Sequence, residues 1–195
     1  MHPWIIVALV LFAFVVVPAL LYNRLVTVRN HCDEAWRNID TELRRRYDLI
    51  PNLVSTVKGY ASHERELLEQ VTRLREECVG NTGSPESQAA SENRLIRALG
   101  ALLVRVEAYP DLKASTNFLE LQKELVNTED RIQAARRFYN GNVRENNNNV
   151  QMFPTNIVAG IFRFPLREYF EIEDTRARET PAAGLSPQPP AASAS

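Results

Sequence analysis

The apolar residues of this chain follow two different patterns. From Pro3 to Tyr22 (PWIIVALVLFAFVVVPALLY) they run almost without interruption, and no side chain is charged. About 20 such residues at 1.5 Å rise cover roughly 30 Å, the thickness of a bilayer's hydrocarbon core. Trp4 and Tyr22 stand at the two ends, where amphipathic rings favour the interface, and Pro18 lies near the end, where membrane helices tolerate it. The run predicts a retained membrane anchor over residues 1–23. A cleaved signal peptide needs a basic amino end and small residues at a cleavage site; Met1-His2-Pro3 carries no Lys or Arg, and Pro18–Tyr22 offers no A-x-A pattern. Arg24, Arg29 and Arg37 follow the run, whereas only the α-amino group and His2 precede it. That asymmetry predicts an amino end outside and the bulk of the chain in the cytoplasm, a single-pass topology.

Beyond residue 23 the apolar positions recur at spacings of three and four. One stretch is Leu25, Val28, Cys32, Ala35, Ile39 and Leu43, continuous with the membrane run. A second is Leu53, Val57, Tyr60, Leu67, Val71, Leu74 and Cys78, with Glu64 on the same stripe. A third is Leu95, Leu99, Leu102, Val106 and Tyr109; the fourth runs from Phe118 through Leu121, Leu125, Ile132, Ala135, Tyr139, Val143 and Val150 to Phe153. This spacing predicts an all-α protein, an antiparallel four-helix bundle over residues 24–174, and no stretch alternates as a strand does. Pro51 predicts the break between the first two helices, Gly80–Pro85 a loop, and Tyr109-Pro110-Asp111 the end of the third helix. Ser115 or Thr116 caps a fourth helix of about 36 residues, roughly 54 Å, which overhangs the third and ends at Pro154. The run Asn146–Asn149 is poor helix material and predicts earlier fraying. If each helix reverses direction, the turns at Pro51 and Pro110 share the membrane-distal tip, and residues 153–170 emerge facing the membrane. The Pro/Ala/Ser-rich residues 175–195 predict a disordered tail.

Charge adds little pull of its own: 23 Lys and Arg balance 24 Asp and Glu, a formal net charge of −1, so no field draws nucleic acid. Cys32 and Cys78 lie far apart, in no CxxC or Cys/His cluster, which argues against a disulfide scaffold or zinc finger. A di-metal carboxylate bundle needs Glu-x-x-His pairs, but Val28 and Tyr60 precede His31 and His63 by three. H-E-x-x-H fails at Leu67, and no P-loop, GxGxxG or GxSxG occurs. Glu64, Glu107 and Glu129, on or beside core stripes, leave a weaker carboxylate site open; the alternative is pairing with Arg44, Arg136 or Arg137, or bonding to Tyr60 or Tyr139. No catalytic, cofactor-binding or metal residue is assigned.

Two regions remain as candidates for contact. Arg44-Arg45-Arg46-Tyr47 is either an anion or partner contact or a solvated last helical turn whose cations suit the helix dipole. Residues 153–164 are too apolar for an exposed linker and too short to span; they either pack across the open end of the bundle or lie on a membrane surface or partner. The residues singled out are Tyr47, Asp48, Pro51, Asn52, Tyr109, Pro110 and Asp111 at the expected tip, and Phe153, Pro154, Asn156 and Phe162 at the other end. Their simpler reading is as turn-formers alone.

RRRYDLIPNLVSTVKGYASHE (44–64), EAYPDLKASTNFLELQKELVNTEDRIQAARRFYN (107–140) and NVQMFPTNIVAGIF (149–162), together with YNRLVTVRN directly after the uncharged run, resemble the LemA family of bacterial membrane proteins. The resemblance covers roughly residues 4–170 and departs from the family pattern at Asn146, where an aromatic is usual. It implies a single anchor on an antiparallel four-helix bundle, and a role in envelope processes or organelle membrane remodelling, with membrane-bound proteases as neighbours. It carries over no catalytic residue. The leading expectation is a non-enzymatic adaptor or scaffold, anchored through residues 3–22, acting with other envelope proteins and self-associating. The rivals are a membrane-shaping or lipid-binding protein and an enzyme with a carboxylate-metal site.

Overall fold

The computed structural model describes residues 3–172; the tail expected over 175–195 lies outside the described residues. The chain is all-helical, with no strand among the described residues. Helix α1 runs unbroken from Pro3 to Tyr60, 58 residues or about 87 Å. After a 3-10 turn at Ser62–Glu64, α2 (Arg65–Gly80) returns, α3 (Pro85–Val106) runs out again, and the one-turn α4 (Pro110–Lys113) leads into α5 (Thr116–Gln151), which returns along α1. The short α6 (Thr155–Ile161) closes the near end. Ser84 caps α3 by accepting from the Ser87 N–H, with Pro85 at the first helical position, where its missing donor costs nothing.

The three-four stripes form the core as their spacing dictates: Leu25, Val28, Cys32, Ala35, Ile39 and Leu43 are all buried, as are Leu95, Leu99, Leu102 and Val106. Tyr60, within the second stripe, and Phe153, at the end of the fourth, are exposed. The expected overhang is present. α5 has 36 residues against 22 for α3 and 16 for α2, so the distal half is a four-helix bundle while in the near half α1 and α5 are the long helices that remain, with α6 across them.

Two expectations are corrected. Pro51 does not break the first helix. Its missing N–H frees the Tyr47 carbonyl, four residues earlier, and Arg75 Nε of α2 donates to that carbonyl at 2.7 Å. The turn falls instead at residues 61–64, so Pro51 stops about 14 Å short of the tip. Nor does the asparagine run fray α5, which continues to Gln151 with Asn146 and Asn149 buried.

The expected anchor forms the first turns of α1. Most of its described side chains are exposed, among them Trp4, Leu11, Phe12, Phe14, Val15 and Leu20, while Val16 and Leu21 are half-buried. Among the described residues no helix is long and apolar enough to cross a membrane; the side chains at positions 6, 8–10 and 13 lie outside the described set.

Candidate functional site

The near end is where the molecule departs most from a plain bundle. Where the uncharged run of α1 stops, α6 crosses it, burying Thr155, Val158 and Ala159, positions i, i+3 and i+4 of one face. Val158 and Ala159 pack with Leu25, flanked by Leu21, Val150 and Phe164. The Tyr22 ring lies 4.7 Å from that of Phe162 and 5.8 Å from that of Phe164, and the Arg29 guanidinium stands 5.7 Å over Phe164. The helix ends in a Schellman pair: Phe164 N–H reaches the Ala159 carbonyl at 2.9 Å and Arg163 N–H the Gly160 carbonyl at 3.4 Å. The left-handed residue such an ending requires is Arg163, φ 54°, where glycine is the usual occupant. On the outer side Phe153, Ile157, Ile161 and Phe162 are exposed, Phe153 at 79%. Pro154 and Asn156 are exposed beside them.

From Phe164 to Ile172 the chain turns back along α5 as an extended strap. Asn147 Nδ2 donates to the Arg167 carbonyl at 3.0 Å while its Oδ1 accepts from the Arg167 N–H at 2.8 Å. Asn140 does the same for Phe170, at 3.0 and 2.9 Å. Seven helical residues rise about 10.5 Å, and three extended residues advance about 10 Å, so two asparagines a heptad apart read the strap in register. Tyr139 donates its hydroxyl to the Glu168 carbonyl and Arg136 reaches the Ile172 carbonyl, at 2.9 and 2.6 Å. Arg167 pairs with Asp33 of α1 at 2.8 Å. Phe170 is fully buried against Trp36, which also meets Tyr139, so the strap fills the groove that short α2 and α3 leave open. Burial pushes the Tyr139 phenol up to about 12. Residues 153–170 thus divide: the strap packs on the bundle, and the outer face of α6 does not.

At the far end Tyr109 is half-buried and donates to Glu64 Oε1 at 3.1 Å. Pro110 and Asp111 are exposed at the start of α4. Asp48, Pro51 and Asn52 are exposed on the flank of α1, and Asn52 faces the start of α5 across a shallow groove it shares with Asn117, Glu120 and Glu124. The structure therefore separates the two halves of the expected tip.

Tyr47 is buried, its hydroxyl bonded to Glu92, which also pairs with Arg46. Arg46, 2% exposed, pairs with Glu129 as well, at 2.9 Å, and Gln133 braces Glu129 at 2.7 Å. Burial opposes the Arg46 charge, but Glu92 and Glu129 outweigh it and hold the guanidinium protonated. Burial, then Glu92, pushes the Tyr47 phenol up, and the same two causes raise the neighbouring Cys78 thiol to about 12. The basic cluster is split accordingly: Arg44 and Arg45 form exposed pairs with Asp40 and Glu124, while Arg46 is core. The other glutamates take different partners, Glu64 with Tyr109 and Glu107 with Lys113. Among the described residues no group of three His, Cys, Asp or Glu gathers as metal ligands do. Sequence reading missed Arg46 and Glu92, though both continue an apolar stripe, Arg46 between Leu43 and Ile50 and Glu92 just before Leu95.

These features define an all-helical bundle protein, four helices deep at one end and two at the other, with an apolar end on its longest helix. The chain belongs to the LemA family, whose profile matches residues 35–183. It is 25% identical over 209 residues to magnetosome protein MamQ 2 of Paramagnetospirillum magneticum, covering 94% of this chain and 75% of that one. It is 25% identical over 203 residues to magnetosome protein MamQ of Magnetospirillum gryphiswaldense, covering 91% and 73%. To protein LemA of Metamycoplasma hominis it is 30% identical over 137 residues, covering 70% and 63%.

Proposed function

We propose that this chain is a non-enzymatic, membrane-anchored scaffold: residues 3–22 span the bacterial inner membrane once, and the bundle stands in the cytoplasm as a rigid post for other envelope proteins. The observation that carries this reading is the continuity of α1. An uncharged run with outward apolar side chains passes without a hinge into the helix that holds the bundle together. A helix that is apolar all round needs an apolar surround. The amino end faces outward because Arg24, Arg29 and Arg37 follow the run.

Family membership supports a structural role, and the bundle offers surfaces for it. Val104 of α3 and Leu119, Val126 and Phe138 of α5 are exposed apolar residues on the long helices. The partners proposed are second copies of the chain and other membrane proteins, a membrane-bound protease among them. Photo-crosslinking in intact cells at Asn52, Asp111 and Phe162 tests this. Tyr47, being buried, is not a useful position. A defined adduct at one of the three, with another envelope protein or a second copy, is the expected result. Clean monomer at all three contradicts the scaffold reading.

A further inference from the structure

We infer that α6 and its flanks form a second membrane contact, lying in the headgroup layer of an anionic bilayer beside the anchor; this rests on the anchor reading above. Three independent observations carry it. The first is position. α6 is packed through Val158 and Ala159 onto Leu21 and Leu25, so it sits at the level where the uncharged run ends, which is the height of the interface for a helix anchored through residues 3–22. The second is its outer face. Phe153, Ile157 and Ile161 are exposed, and Phe162, also exposed, lies against the Tyr22 ring, which joins this apolar face to the end of the uncharged run. Only Asn156 breaks it with an amide. An amphipathic element with Phe and Ile outward and a rim of cations is built to enter the acyl boundary by a few ångströms.

The third is charge. Residues 3–32 and 146–167 together form this end, and neither stretch contains a single Asp or Glu. Their charged side chains are Arg24, Arg29, Arg163 and Arg167. Arg29 covers Phe164 and Arg167 pairs with Asp33, whereas Arg24 and Arg163 are exposed. Arg163 also occupies the left-handed position that glycine fills at lower cost, directly after exposed Phe162 at the end of α6. The exposed pair Arg24 and Arg163, in stretches without a carboxylate of their own, matches lipid phosphates on an anionic surface.

The test is spin-label depth on the full chain in vesicles of phosphatidylcholine, with or without phosphatidylglycerol. Labels are placed singly by Val15→Cys in the anchor, Ile157→Cys on α6 and Ser55→Cys on the bundle flank; native Cys32 and Cys78 are buried. The inference predicts a label at 157 that collides with oxygen several-fold more than with a nickel chelate when phosphatidylglycerol is present. Arg24→Gln with Arg163→Gln returns it toward water without changing helicity. A label deep at 15 but water-exposed at 157 overturns the inference and leaves the anchor standing. Water exposure at 15 sinks both. A label at 157 shielded from both probes, with spin–spin broadening, gives this face to a second copy instead, and a depth indifferent to lipid charge removes the anionic surface as its occupant.

Discussion

Pro51 sits inside a long helix, nine residues before its end, where proline removes one hydrogen bond and crowds the carbonyl four residues back. The donor that replaces it, Arg75 Nε, comes from the neighbouring helix, so a local defect is converted into a tertiary contact. Arg75→Met should cost about 1–2 kcal/mol, the price of an orphaned part-buried carbonyl. In a Pro51→Ala background, where residue 51 regains its N–H, the same change should cost little; thermal unfolding of the four proteins in detergent gives the coupling. Equal costs in both backgrounds contradict the account. None of this is legible from Pro51 alone, because the sequence rule is local and the compensation is 24 positions away. Arg46 was hidden for a related reason. Three consecutive arginines look solvated as a group, but a helix turns each through 100°, and only the middle ground between Leu43 and Ile50 faces inward.

The elements were legible wherever burial follows period, which is why the stripes of α1, α3 and α5 were recovered from spacing. They were not legible where a side chain works on distant backbone. Asn carries a helix penalty of at most about 0.7 kcal/mol relative to Ala. Asn147 makes two bonds to Arg167, each contributing about 0.5–1.5 kcal/mol net, so the strap outweighs the propensity and α5 stays whole. The signal was the heptad between Asn140 and Asn147, which matters only once an extended partner is known. Asn147→Ala should free the strap without shortening α5: the Arg167 and Phe170 amides should exchange about tenfold faster or more, as loss of about 1.4 kcal/mol implies. Asn148, exposed one position further on and with no side-chain bond to the strap among those described, serves as the control, and Asn148→Ala should change nothing. Unaltered exchange in Asn147→Ala would contradict this and leave the strap to its other ties, Phe170 burial and the Asn140 bonds first among them.

At the scale of the whole molecule, α1 is one rod of about 87 Å with two environments along it. From Leu25 onward it packs against α2, α5, α6 and the strap, whereas among the described residues its first turns are mostly exposed. That the fourth helix would outrun the third was readable from stripe lengths. That the surplus would be sheathed by the chain's own carboxyl-terminal segment was not, since an extended strap has no period to read. The same architecture gives the central claim its direct test, because alkaline carbonate strips proteins held at the surface by polar contacts and leaves those inserted in the hydrocarbon core. Membranes from cells making the full chain should keep it in the pellet after a carbonate wash, as they keep an integral protein. Recovery of the chain in the supernatant would mean that residues 3–22 do not span, and the anchored-scaffold account would be wrong.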